Sequence, residues 1–150
     1  AAVLVVAGAA YVVESTNDER TTITFTDENG TTLASADVAV SDTLAERYTG
    51  LSDTDSLGPN EGMLFVHPSA GNHTYVMRDM AFPIDIVFVA ADGTITTIHH
   101  AELPADGEQL QGYRGRGKYV VELPYEFTTR SGITIGDTVQ IPDQHQTVNK

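Results

Sequence analysis

No cysteine occurs in the 150 residues, so disulfides, thiolate zinc sites and cysteine nucleophiles are all excluded. Lysine is nearly absent too. Lys118 and Lys150 stand beside six arginines and against 21 Asp and Glu, for a formal net charge of −13. With cations this scarce and no basic stripe, like charge repels a nucleic-acid backbone. An anionic membrane surface is disfavoured for the same reason. No apolar run is long enough to cross a bilayer as a helix: residues 1–13 (AAVLVVAGAAYVV) would span about 20 Å against a hydrocarbon core of roughly 30 Å. Internal repeats and low-complexity tracts are also missing.

What is present suits one folded domain. A chain of this length buries roughly two thirds of its unfolded surface, and a hydrophobic fraction of 41% is too high for a disordered acidic tail. The 19 threonines complete a surface that is acidic, lysine-poor and threonine-rich. Such a surface resembles that of proteins from salt-loving organisms, because at molar salt the Debye length shrinks to about 3 Å and surface carboxylates barely repel. On this reading most acids form a solvation coat, and few of them do chemistry.

The ends differ from the middle. Residues 1–14 read as the remnant of a signal-anchor or export segment, with a strand or helix of the domain as the alternative. Residues 15–20 read as a polar linker, and 143–150 as a polar tail. Between them, residues 21–142 carry a mostly β pattern. Thr21–Thr26 alternates around Ile23 and Phe25, and the turn Asp27–Gly30 leads into Thr31–Val40. Ser41 or Asp42 can cap a short helix through Leu44, Ala45 and Tyr48 that stops at Gly50.

Further strands are expected at Gly62–Val66, Thr74–Met77 and Ile84–Ala90. The last forms a hairpin with Thr94–His100 around Asp92-Gly93. Pro104–Gly117 reads as a long loop and Lys118–Leu123 as a strand. Tyr125–Arg130 reads as a second short helix before Gly132, and Ile133–Ile141 closes the domain around the turn Gly136-Asp137. The expected fold is all-β, a compact barrel- or sandwich-like single domain with two short helices.

A set of short motifs then falls in order: Arg47–Leu51 (RYTGL), Glu61–Phe65 (EGMLF), Tyr75–Met80 (YVMRDM), Pro83–Phe88 (PIDIVF), Asp92-Gly93, Tyr119–Leu123 (YVVEL), Gly132 and Gly136-Asp137. This order resembles the domain of unknown function 192 family over about Asp37 to Ile141. The family pattern at Tyr75–Met80 is usually Phe-Trp-Met-Lys-Asn-Thr; here Val76, Arg78, Asp79 and Met80 depart from it. Ser52 replaces the family's Met. The resemblance implies a compact β-barrel-like domain, often exported or lipid-anchored, with no established activity.

Tyr75–Met80 is the strongest candidate site. In an extended strand Tyr75, Met77 and Asp79 face one way and Arg78 the other. Arg78 can pair with Asp85 or hold an anion by its planar fork, or it is a structural ion pair beside core residues. Asp85, inside an apolar strand, faces solvent, bonds a backbone turn, or is a buried carboxylate. The histidines (His67, His73, His99, His100 and His145) form no His-x-x-x-His pair. With Met63, Met77 and Met80 they leave a soft copper site conceivable. Asp53–Gly58 begins like a calcium loop, but Leu64 stands where a bidentate Glu is required. No Gly-x-Ser-x-Gly is present, and Gly112–Gly117 (GYRGRG) lacks the Walker Lys-Ser/Thr. Its Arg114 and Arg116 make a local anion patch or a solvated loop.

These observations favour a monomeric, non-catalytic binding or accessory module for a small molecule or envelope component. It would lie outside the cytoplasm, tethered to the membrane only through its N-terminal segment, with no cofactor. Its ligand site would comprise Arg47, Met77, Arg78, Asp79 and Asp85. The alternatives are a hydrolase using Asp79 and Asp85 as acid and base, and a copper or calcium carrier.

Overall fold

The structure, a computed structural model, describes residues 2–6, 9–13 and 19–148, with side chains from residue 19 onward. The apolar N-terminal run forms two short strands, β1 (Ala2–Val6) and β2 (Ala9–Val13), paired antiparallel in a sheet of their own. Most of the expected linker and the last two residues of the polar tail lie outside the described residues. No helix among the described residues is long and apolar enough to cross a membrane.

The remaining strands are β3 (Arg20–Thr26), β4 (Thr32–Ser41), β5 (Glu61–Tyr75), β6 (Ile84–Val89), β7 (Ile95–Ala101), β8 (Tyr113–Pro124) and β9 (Thr138–Gln140). They form one sheet in the order β7-β6-β8-β5-β4-β3-β9. Two helices interrupt them, α1 (Leu44–Thr49) and α2 (Phe127–Ser131). All neighbours are antiparallel except β4 and β5, which run parallel because α1 and the loop after it carry the chain across.

The sheet curls until its edges meet at one end. Ile95 N donates to Asp137 O and Val139 N to Gly93 O, at 2.9 and 2.8 Å. Gly93 is required there: its φ is +93°, and a Cβ would stand 2.8 Å from the Val139 carbonyl. The result is a mainly β half-barrel with two short helices, as the sequence pattern predicts.

Each face of the sheet buries its own apolar set. Inside the curl lie Ile23, Phe25, Val38, Leu64, Val87, Val121 and Leu123, closed by Phe127 of α2. The outer face carries Met63, Phe65, Met77, Ile86, Phe88 and Val120. Most strands are covered on both sides, which explains apolar runs such as IDIVFV in place of clean alternation.

Four local expectations are corrected. The cap of α1 is Thr43, not Ser41 or Asp42, because Glu46 completes a reciprocal capping box with it. Gly62–Val66 and Thr74–Met77 are not separate strands. Gly62–Val66, Thr74 and Tyr75 belong to the single β5, which ends at Tyr75 and leaves Val76 and Met77 beyond it; its register against β8 shifts between Val66 and Gly71. The loop starting at Pro104 ends before Tyr113, so Tyr113–Gly117 of GYRGRG is strand: Arg114 and Arg116 pair opposite Thr74 and Asn72. Gly115 is needed because a Cβ would come 2.3 Å from the Phe88 ring.

Candidate functional site

The short helix α1 has no buried residue. Leu44 and Tyr48 are 79% and 71% exposed on it, one helical turn apart and therefore on one face. Between this face, the turn after it and the second half of β5 lies a cleft of about 550 Å³. Arg47 reaches into it from α1. Its Nη1 donates to the carbonyls of Asp42 and Val66, at 2.9 and 2.8 Å, which fixes the guanidinium. Arg78 enters from the turn after β5. Its guanidinium lies over the Tyr48 ring, 4.4 Å from the centroid, and its Nη2 donates to the Tyr48 carbonyl. Ser52 Oγ donates to Arg78 O and secures that turn to the segment after α1.

Aromatic and titratable side chains also line the cleft. His67 and Tyr75 share a hydrogen bond of 2.8 Å. His73 stacks on His67 with centroids 3.7 Å apart and bonds the Gly117 carbonyl. Burial, then His73 and Arg47, lower the His67 pKa to about 4, so its ring is neutral at pH 7. Burial also lowers His73, helped by Arg47, although its bond to Gly117 opposes this. Burial and the neighbouring Glu122 push the Tyr75 phenol up.

Glu122 is the decisive residue. It belongs to β8, is 6% exposed, and its Oε2 has no hydrogen-bond partner. Burial raises its pKa to about 8, so it stands as a neutral acid at pH 7. An unpartnered buried oxygen costs about 1–3 kcal/mol. A carboxyl kept in that condition beside a cleft is a candidate functional group.

The five residues expected to form the site are not brought together. Arg47 and Arg78 both line the cleft. Met77 is 3% exposed and packs in the outer core. Asp79 is exposed in a turn at φ +56°, a conformation that Asp and Asn tolerate better than most residues. Asp85 is fully buried on the inner face and does not pair with Arg78. Its Oδ1 accepts from His100 Nδ1 and Glu126 N, and its Oδ2 from Thr128 N and Thr128 Oγ1, at 2.6 to 3.0 Å. It therefore caps α2, whose own cap residue, Glu126, makes no side-chain bond. Asp85, buried beneath α2, and Asp79, exposed in a turn, therefore sit in different surroundings.

The site's remaining members were hidden for an identifiable reason. Glu122 is a lone acid in the apolar run YVVEL, the same signal that singles out Asp85 in PIDIVF. Separating the two requires the partners, which come from distant segments. No group of three or more His, Asp or Glu among the described residues is placed to hold a metal ion. A larger concavity, about 680 Å³, lies beyond α1 among Arg20, Glu46, Asp53 and Glu61. Its Arg20 is already paired with Asp37 and Glu61.

Fold and cleft define a class: a small, mainly β half-barrel with a lateral cleft that holds two arginines, a histidine–tyrosine pair and a buried acid. The profile of the domain of unknown function 192 family, described as uncharacterized ACR, matches residues 24–141, and the chain belongs to that family. No curated protein matches the chain. Among solved structures it is similar to a proposed transcription regulator from Sinorhizobium meliloti 1021, with 27% identity, a TM-score of 0.75, and coverage of 85% of this chain and 97% of that one. It is also similar to a protein of unknown function from Novosphingobium aromaticivorans DSM 12444, with 28% identity, a TM-score of 0.68 and 94% coverage of each chain.

Proposed function

We propose that the protein is a monomeric, non-catalytic binding module whose small-molecule ligand seats in the cleft between α1 and β5. The unpartnered Oε2 of Glu122 carries this reading: a ligand would supply the missing hydrogen bond. Arg47, fixed by two carbonyls, and Arg78, stacked on Tyr48, line the same cleft and are preorganised there. The apolar run at residues 1–13 supports a place outside the cytoplasm with tethering through that segment. A regulator's role on DNA finds no support in a chain of net charge −13.

The test is a thermal-shift screen of polar metabolites and envelope fragments, run in molar salt on the wild-type chain and on Glu122→Ala. A compound that raises the Tm of the wild type but not of a folded Glu122→Ala supports the cleft. Ligands that stabilise both equally place binding elsewhere.

A further inference from the structure

We propose that the ligand is a small organic carboxylate whose anionic head meets Arg47 and Glu122 Oε2, while its apolar body lies along Leu44, Tyr48 and Val76. This rests on the cleft being the binding site and adds its chemistry.

Charge points to an anion. The cleft is lined by two arginines and a single acid, and that acid is neutral at pH 7 because burial raises it to about 8. The cleft is thus a cationic spot on a protein of net charge −13, so it selects against cations. The free edge of Arg47 suits a carboxylate head. Arg47 Nη1 is held by two carbonyls, and its Nε–Nη2 edge meets no acceptor among the described residues. One such edge matches the two oxygens of a carboxylate. Arg78 gives one N–H to the Tyr48 carbonyl and lies over the Tyr48 ring, so a phosphate would have to draw on its remaining donors, and a phosphate probe tests that. Glu122, as an acid, donates to a carboxylate oxygen and so satisfies its own orphaned group.

The walls point to an apolar body. Leu44, Tyr48 and Val76 are 79%, 71% and 39% exposed, and all three line the cleft. Large apolar side chains grouped at the mouth of a polar-floored cleft are the arrangement that receives an amphiphilic ligand.

Binding is then linked to one proton. Facing the cleft are Arg47 and Tyr48 from α1, His67, His73 and Tyr75 from β5, Arg78 from the turn, and Glu122 from β8. His67 and His73 are lowered and Tyr75 is raised. At mildly alkaline pH, Glu122, at about 8, is therefore the group whose charge change bears most directly on the ligand.

The experiment uses the whole chain in molar salt, with hexanoate, benzoate, hexyl phosphate, hexanol and hexylamine as probes, read by calorimetry and thermal shift. Hexanoate and benzoate are expected to bind below about pH 8 and to weaken at least tenfold well above it. Glu122→Gln, which keeps a donor but cannot ionise, should retain binding and lose the pH dependence. Arg47→Lys should weaken binding by about tenfold. Tighter binding of hexylamine, hexanol or hexyl phosphate, abolished by Glu122→Ala, would overturn the carboxylate while keeping the cleft. Carboxylate binding indifferent to Glu122→Gln and Arg47→Lys at every pH would overturn both. Silence from hexanoate and benzoate at millimolar concentration would overturn the carboxylate and leave the cleft to the wider screen.

Discussion

Asp85 and Glu122 stand on adjacent strands and point to opposite faces of one sheet. In the β6–β8 register Asp85 lies opposite Leu123, a residue of the inner core, while Glu122 lies opposite Ile86, a residue of the outer core. Both are buried acids in apolar strands. Asp85 accepts four hydrogen bonds, whereas Glu122 Oε2 accepts none. The first holds the fold together, and the second marks the cleft.

Replacing Asp85 by Ala should therefore damage stability and leave the cleft's chemistry alone. It strands the amides of Glu126 and Thr128 at the start of α2 and leaves Thr128 Oγ1 without its partner. Loss of a buried, fully engaged carboxylate costs on the order of 3 kcal/mol or more. Denaturant unfolding should show that loss, with Asp85→Asn milder. Probe affinity of the folded fraction should match the wild type; a stable Asp85→Asn that no longer binds would show that Asp85 acts at the site.

Glu122→Gln should do the reverse and raise stability at alkaline pH. The native state holds a proton up to about pH 8, which the unfolded chain releases near 4.5. Stability from this group is full below about 4.5 and falls as pH rises toward 8, by on the order of 1 kcal/mol per pH unit. The difference in unfolding free energy between variant and wild type should grow across that window and level off above it. A difference that stays constant with pH would mean that Glu122 is ionised in the native state.

The strand pattern, the order of motifs and the Asp92-Gly93 hairpin are legible in the chain because they depend on neighbours in sequence. The site is only half legible. Arg47 and Arg78 can be singled out because cations are scarce in so acidic a protein. Asp85 cannot be told from Glu122 that way, because the groups that engage it are His100, Glu126 and Thr128, 15 to 43 positions away. GYRGRG misleads for a related reason. Its glycines suggest a loop, yet Gly115 is small because the Phe88 ring occupies the space where its Cβ would be.

That packing gives a sharp test of the strand assignment. Gly115→Ala would bring a methyl to 2.3 Å from the Phe88 ring, and overpacking of this kind costs typically about 1–3 kcal/mol. The Tm should drop by several degrees. Gly107, in the loop before β8, has open space where a Cβ would stand, with no atom within 4 Å, but its φ is +77°. Gly107→Ala should therefore show only the smaller backbone penalty, of order 1 kcal/mol. Equal losses at the two positions would argue that residues 113–117 are not held in the sheet.

The acidic coat gives the last prediction. Among the described residues the buried acids are Asp42, Asp85, Glu122 and Asp137, so most carboxylates meet solvent. Arg20, with Asp37 and Glu61, makes the only arginine–carboxylate ion pairs among the described residues. The exposed acids therefore repel one another with little local neutralisation. That repulsion extends about 10 Å at 0.1 M salt and about 3 Å at 1 M. Raising sodium chloride from the lower to the higher concentration should raise the Tm by several degrees, and sodium sulfate, which also strengthens apolar burial, by more. A Tm indifferent to sodium chloride would show that the charge is carried without an energetic cost, and the reading of this surface as a coat suited to strong brine would fall.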